Sequence, residues 1–331
     1  MESTLKHQNL TTLINRELTQ LALPEEPSQL YDPVRYTLNL GGKRTRPLFT
    51  LISCGMCNGD PEEAVPAALA IELLHNFTLL HDDIMDAADT RRGELSVFKK
   101  WDSSTAILSG DVMYAYAFKQ LQYYGGGDLY SKQQYATIMD IFLESAETVC
   151  EGQAFDLEYS DRIDVSIDEY LKMIRGKTAA LISGSLMLGG AVAGVEQREL
   201  ERLREIGRET GTAFQIQDDL LDVIADPSKF GKTPGGDIME GKKTYLSILA
   251  LEEGNQKQQK FIQEVLSSKD NAEEEIVEVI QLYEALGVVE KTKKTIEKHY
   301  TKAVALLDRF PDSDFKDDLI TYFNKLKKRE F

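Results

Sequence analysis

Cysteine is scarce: 331 residues hold three, Cys54, Cys57 and Cys150. Three cannot all pair, which argues against a disulfide framework and suits a reducing, cytoplasmic setting. Cys54 and Cys57 have C-x-x-C spacing, but no second pair completes a zinc site and no βαβ pattern surrounds them, so core packing is expected. Positive charge is also in deficit. Lys plus Arg number 38 against 55 Asp plus Glu, a net charge of −17, so neither duplex nucleic acid nor an anionic membrane surface is an expected partner. Any phosphate must be gripped locally. The opening residues MESTLKHQNL lack a basic n-region followed by an apolar core, so no secretory signal is expected. Long apolar runs are missing except Thr178–Gly194, which is about as long as the shortest membrane span. Its Ser and Gly content, and the lack of interfacial aromatics, point to a buried core helix and no membrane insertion.

Proline is absent from the 160 residues 67–226, whereas Pro24, Pro27, Pro33, Pro47, Pro61 and Pro66 crowd the first fifth. The proline-free stretch is rich in Ala, Leu, Ile, Glu and Met, so long helices are expected. Asp60 before Pro61 has the form of a helix N-cap with a first-turn proline, opening a helical apolar pattern over Ala67–Ala88. Gly125–Asp128, Asp161–Ser166 and Gly194–Glu196 read as loops, as does the Gly- and Lys-rich segment Asp226–Gly241. From Gln256 onward, short amphipathic helices break at Ser267–Asn271, Gly287 and Pro311. No alternating or βαβ strand pattern appears. With 42% hydrophobic and 28% charged residues, the chain reads as globular and all-α. The expectation is one large helical bundle over residues 1–331, with its motifs at about 40–250 and C-terminal helices at 256–331.

One short pattern occurs twice. Asp82-Asp83-Ile-Met-Asp86 and Asp218-Asp219-Leu-Leu-Asp222 share the form D-D-x-x-D. On a helix, Asp82, Asp83 and Asp86 fall within an arc of about 100°. Three carboxylates packed on one turn repel and raise one another's pKa, which costs stability unless a cation resolves it. Apolar residues precede both clusters and fill their x positions, so a cavity wall suits them better than a solvated face. Hard oxygen ligands point to Mg²⁺, which binds one or two carboxylates plus substrate phosphates and keeps several waters. Two such clusters would clamp a diphosphate.

Counter-charges for a diphosphate lie near both clusters. Arg91-Arg92-Gly93 follows the first, and Lys229, Lys232, Lys242 and Lys243 follow the second. Gly41-Gly42-Lys43-Arg44-Thr45-Arg46-Pro47 sets three more cations in a turn before a helix, where a phosphate meets side chains and backbone N–H groups together. His75 lies two helical turns before Asp82, about 20° from it around the axis, and so shares the carboxylate face.

These residues, with Glu72-Leu-Leu-His75, Gly176-Lys-Thr178, Gln215-Ile-Gln217 and Gly241-Lys-Lys-Thr244, occur in an order that resembles the trans-isoprenyl diphosphate synthases, the polyprenyl synthetase family. The resemblance covers about residues 40–250. It implies an isoprenoid synthase fold, a helical bundle around a deep cavity, usually as a homodimer, with three Mg²⁺ ions (Mn²⁺ as a substitute) on an allylic diphosphate. Asp82, Asp83, Asp86, Asp218, Asp219 and Asp222 make up the implied metal site. Of these, Asp82, Asp86 and Asp218 are the implied direct ligands, and Asp83 and Asp222 act through water or neighbouring groups. Arg91, Lys177, Lys232 and Lys242 would grip the allylic diphosphate, and Lys43, Arg46, His75 and Arg92 isopentenyl diphosphate. Thr178 and Gln215 would direct oxygen dipoles at the allylic cation. Phe77 and Thr78, the fifth and fourth residues before the first aspartate, would form a floor for the growing chain. Their pattern is closer to geranylgeranyl-forming than to farnesyl-forming enzymes. Ideal helix geometry puts Phe77 about 140° and Thr78 about 40° from Asp82, so the wall is one of these or a residue from another helix.

The implied chemistry needs these residue types. Breaking an allylic C–O bond leaves diphosphate and a carbocation, so catalysis rests on stabilising negative charge and excluding water. A terpene cyclase shares the fold, but its second metal motif usually mixes Asn, Ser and Glu. A phosphohydrolase built on His81-Asp82 has only His7, His75 and His299 to help it. A di-iron bundle on Glu72-x-x-His75 lacks its second E-x-x-H. A non-catalytic partner subunit usually loses a motif, and this chain keeps them all.

Overall fold

Helix start signals in the sequence become helices where they stand. The computed structural model describes residues 2–160, 162–224, 234–268 and 271–328. In order come α1 (Glu2–Thr19), α2 (Ser28–Asn39), α3 (Thr45–Met56), α4 (Val65–Met85), β1 (Thr90–Arg91), β2 (Glu94–Leu95), α5 (Val97–Lys100), α6 (Ser103–Leu121), α7 (Lys132–Ser160), α8 (Ile167–Ile174), a π-helical turn (Arg175–Ala179), α9 (Ala180–Val192) and α10 (Gln197–Ile224). Further helices span Gly236–Met239, Tyr245–Glu253, Gln256–Ser267, Glu273–Ala285, Val288–Leu307 and Asp314–Lys327. The proline-free stretch thus holds most of α4 and all of α5 to α10. Pro61 opens a short 3₁₀ turn whose N-cap, Asp60, accepts from Glu62 N at 3.0 Å, and Pro66 sits in the first turn of α4. Asp102 caps α6 and Ser166 caps α8 in the same way, satisfying backbone donors that the first helical turn leaves open. Among the described residues, the only strands are the two-residue antiparallel pair β1–β2, which closes the hairpin carrying Arg91 and Arg92.

The chain divides into two compact units. The first comprises Met1–Ala146, Gly184–Arg204 and Phe310–Leu319; the second comprises Glu147–Ser183, Glu205–Arg309 and Ile320–Phe331. In the first, α4 packs against α3 and α6, and α2 against α6. Phe49, Leu51, Ile52, Ile71 and Leu73 form its core. In the second, the helix Tyr245–Glu253 packs against α8, Glu273–Ala285 and Val288–Leu307, burying Leu246, Val279, Tyr283 and Tyr300. The apolar run expected as a core helix is one: Leu181, Leu186 and Leu188 of α9 are buried. The stretch Pro61–Met85 is also long and apolar enough to cross a membrane by length and composition, but most of it is buried inside the protein. Cys54 lies in the core, and burial pushes the Cys54 and Cys57 thiols up to about 12, which leaves them protonated and inert.

Candidate active site

In the first unit, the Gly41–Pro47 turn and the β1–β2 hairpin meet beside α4. Gly42 has a φ of +131°, and a Cβ there would come within 2.9 Å of the Arg92 guanidinium. Only glycine lets Arg92 lie on this turn, where its Nη1 also donates to Gly41 O. Arg46 Nη1 donates to His75 Nε2 at 3.0 Å. The acceptor nitrogen must be unprotonated, so His75 is neutral with its proton on Nδ1. Burial, and then the positive charges of Arg46 and Arg92, hold its pKa well below the ordinary histidine value. Arg46, His75 and Arg92 therefore form one polar group at the end of the turn that carries Lys43.

Arg44 does not join it. The sequence grouped Lys43, Arg44 and Arg46 as three cations in one turn, whereas Arg44 is turned inward and buried. Its Nη1 donates to Glu72 Oε1 at 2.6 Å and its Nη2 to Leu38 O at 2.6 Å. The same pair removes Glu72 from any metal role, so the Glu72-x-x-His75 half-site does not form.

Asp82 and Asp83 lie in the last turn of α4, and Asp86 is its C-cap. The helix dipole is negative there, so three carboxylates are unfavourable for a second reason beyond mutual repulsion. Asp83 is buried and takes Arg91 Nε at 2.8 Å on Oδ1. Burial raises its pKa, and Arg91 works against that rise. Five residues before Asp82 on α4, Phe77 stacks on Tyr114 with ring centroids 5.2 Å apart. Tyr114 continues the stack to Phe142 at 6.2 Å, with Phe118 edge-on at 5.0 Å. The Thr78 hydroxyl donates to His75 O at 2.8 Å.

In the second unit, Asp218, Asp219 and Asp222 occupy the last two turns of α10, again at a helix C-terminus. They differ sharply in surroundings. Asp219 is buried and accepts from Tyr170 Oη at 2.6 Å, Tyr245 N at 3.1 Å and Gln215 Nε2 at 3.1 Å. Burial lifts its pKa to about 6. Asp222 accepts from Asp237 N at 2.9 Å, and Asp237 is itself pushed up to about 7 by burial and by Asp219 and Asp222. Asp218 is only partly covered.

Lys177 and Thr178 lie in the π-helical turn, a local distortion often found at functional sites. The turn runs backbone to backbone past α7: a Cβ on Gly176 would meet Gly152 Cα at 2.7 Å. Thr178 Oγ1 donates to Gln215 Oε1 at 2.7 Å, and Lys177 Nζ donates to Asp156 Oδ2 at 2.6 Å. Lys242 pairs with Glu240 at 2.6 Å. Asp156, Lys177, Thr178, Gln215, Asp219 and Lys242, among others, line a cavity of about 120 Å³. Lys229 and Lys232 lie outside the described residues.

The polyprenyl synthetase family model matches residues 27–283. The chain belongs to the polyprenyl synthetase family. It is similar to the short chain isoprenyl diphosphate synthase of Methanothermobacter thermautotrophicus, 37% identical over 304 residues that cover 92% of this chain and 91% of the relative. It is also similar to the geranylgeranyl diphosphate synthase of Saccharolobus solfataricus, 42% identical over 236 residues, 71% of this chain and 70% of the relative. Among solved structures, geranylgeranyl pyrophosphate synthetase from Pyrococcus horikoshii Ot3 has a TM-score of 0.92 at 34% identity and covers 99% of both chains. The protein is thus a trans-prenyltransferase of all-α fold, and the cyclase, phosphohydrolase, di-iron and non-catalytic readings are not favoured.

The donor set of this polyprenyl synthetase suits Mg²⁺. Among the described residues, no three His, Cys, Asp or Glu side chains converge into a ready-made cage. Mg²⁺ needs none, because one or two carboxylates with water and substrate phosphate complete its shell. Clustered aspartates at the ends of α4 and α10 supply such carboxylates where the helix itself disfavours them. Sequence reasoning missed Asp156, the partner of Lys177, and Tyr170, the partner of Asp219. No local pattern marks either, since each is defined only by what folding places beside it.

Proposed function

We propose that this prenyltransferase condenses isopentenyl diphosphate with an allylic diphosphate to give a short all-trans prenyl diphosphate, geranylgeranyl diphosphate being the favoured product. The observation that carries this reading is the pair of aspartate clusters, each in the C-terminal turns of a helix and each accompanied by basic side chains. Residues 1–331 would act as one isoprenoid synthase domain in the cytoplasm. The protein would work as a homodimer; the exposed apolar side chains Ile107 and Leu108 of α6 and Leu143 of α7 favour self-association.

Lys43, Arg46, His75 and Arg92 would hold isopentenyl diphosphate. Neutral His75 fits, because its ring keeps the Arg46 guanidinium oriented without adding a competing charge. Arg91, Lys177, Lys232 and Lys242 would hold the allylic diphosphate. Lys177 and Lys242 now rest on Asp156 and Glu240, from which a diphosphate would draw them. Asp82, Asp86 and Asp218 would bind Mg²⁺ directly, with Asp83 and Asp222 acting through water or neighbouring groups; once bound, Mg²⁺ would neutralise charge on the leaving diphosphate. Thr178 and Gln215 would face the allylic cation with oxygen dipoles while the cavity keeps water away. The cation meets the isopentenyl double bond, and loss of a proton to the released diphosphate completes the new alkene.

Incubating the purified protein with Mg²⁺, isopentenyl diphosphate and dimethylallyl, geranyl or farnesyl diphosphate, then sizing the products, tests the proposal. Elongated prenyl diphosphates should form, and excess EDTA should abolish them. Asp82→Asn or Asp218→Asn should slow coupling by several orders of magnitude while leaving the fold intact. Full turnover in EDTA would overturn the assignment.

A further inference from the structure

Asp218 and Asp219 are neighbours in one acidic motif, yet folding gives them different neighbours. Both carboxylate oxygens of Asp219 already accept protein hydrogen bonds: Oδ2 from Tyr170 Oη at 2.6 Å and Tyr245 N at 3.1 Å, Oδ1 from Gln215 Nε2 at 3.1 Å. A carboxylate in this position offers acceptors only, so the amide it faces must present its NH₂ end. That choice fixes the other end. Gln215 Oε1 points away from Asp219 and takes the Thr178 hydroxyl at 2.7 Å. Tyr170, Thr178, Gln215 and Asp219 all line the same cavity of about 120 Å³, together with Lys177.

We infer that Asp219, held by Tyr170 and the Tyr245 N–H, is a positioning residue that locks the Gln215 amide with its oxygen toward the reacting allylic carbon, and is not a metal ligand. The inference rests on the proposed prenyl transfer, in which Gln215 faces a developing carbocation. A flipped amide would turn its NH₂ group, the positive end of the dipole, toward that cation and its oxygen toward a carboxylate. Both contacts are repulsive. The lock therefore acts selectively on the charged state, because a neutral prenyl chain interacts weakly with either end of the amide. Asn at position 219 would reverse the constraint, since the Tyr245 N–H keeps its amide oxygen on the Oδ2 side and its NH₂ group then faces Gln215 and favours the flipped amide.

The test separates this role from metal binding through two ligands measured in Mg²⁺. One is a prenyl ammonium compound with inorganic diphosphate, which mimics the cation; the other is a thiolodiphosphate analogue of the allylic substrate, whose chain is neutral. Asp219→Asn should weaken the ammonium compound about tenfold or more, a change equivalent to about 1.4 kcal/mol. It should move the thiolodiphosphate by less than about threefold and lower kcat while leaving the allylic KM nearly unchanged. Tyr170→Phe, a milder change, should shift the same pair of ligands in the same sense. Adding Gln215→Glu to Asp219→Asn should restore much of the ammonium binding, because a carboxylate shows oxygen whichever way it turns. Melting temperatures establish that each variant is folded, and Tyr170→Phe carries the test if Asp219→Asn is not.

Equal weakening of both ligands, or a rise in the Mg²⁺ concentration needed for binding like that caused by Asp218→Asn, would overturn the inference and make Asp219 a ligand. No effect of either variant on the ammonium compound would overturn it as well. Failure of the wild-type protein to bind either ligand would instead count against prenyl transfer itself.

Discussion

Arg44 Nη1 donates to Glu72 Oε1 at 2.6 Å, and both side chains are only 2% exposed. Glu72 Oε1 also takes Asn76 Nδ2 at 3.2 Å, and Arg44 Nε reaches Asn15 Oδ1 at 3.2 Å. The pair ties the turn before α3 to the middle of α4, between residues proposed to hold one diphosphate. A charge left without its partner in such a place is costly. Glu72→Ala should therefore destabilise the protein by about 3–5 kcal/mol in urea denaturation. The double variant Arg44→Met/Glu72→Leu should recover most of that loss, because it leaves no buried charge. A neutral Glu72→Ala would show that water reaches the pair.

The two groups of basic residues should separate kinetically. Lys43→Ala or Arg46→Ala should mainly raise the KM for isopentenyl diphosphate. Lys177→Ala or Lys242→Ala should mainly raise that for the allylic substrate. Each lost charge-assisted contact should cost about 1.5–3 kcal/mol. Equal weakening of both substrates by all four variants would refute the division.

Product length should respond to the aromatic stack below the first cluster. Phe77 packs on Tyr114 at 5.2 Å, and Tyr114 packs on Phe142 at 6.2 Å. Phe77→Ala should lengthen the products, as measured by chromatography of the released alcohols. Thr78→Phe should shorten them. A product ladder unchanged in both variants would place the floor on other residues.

Acid stability should depend on Glu209. Burial alone would raise its carboxyl, but hydrogen bonds from His299 and Lys302 outweigh burial and hold it at about 2. Below the ordinary glutamate value of 4.5, the unfolded chain takes up a proton that the folded chain does not. The stabilisation is thus complete above that pH and is lost as pH falls toward 2, a total of about 3 kcal/mol. Urea midpoints at pH 7 and pH 3 should differ more in the wild-type protein than in Glu209→Gln. Equal slopes would show that the cluster does not hold the carboxyl down.

Helical class, element spacing and the chemical type of the site were legible in the residues themselves. A stretch without proline from 67 to 226 permits long helices, and repeated D-D-x-x-D patterns gather carboxylates on one turn of each. Those are local consequences of backbone geometry. Which member of a motif meets which partner is not local. Arg44 looks like its neighbours Lys43 and Arg46, but a left-handed backbone at φ 46° and a carboxylate 28 residues away turn it into the core. Asp218 and Asp219 look equivalent, but adjacent residues on a helix point about 100° apart. Only the packing of α10 against α8 and the helix that starts at Tyr245 decides that Asp219 meets Tyr170 Oη and a backbone N–H. Sequence determined the inventory of charges, and tertiary structure assigned their partners, because hydrogen bonds and burial depend on distances between residues far apart in the chain.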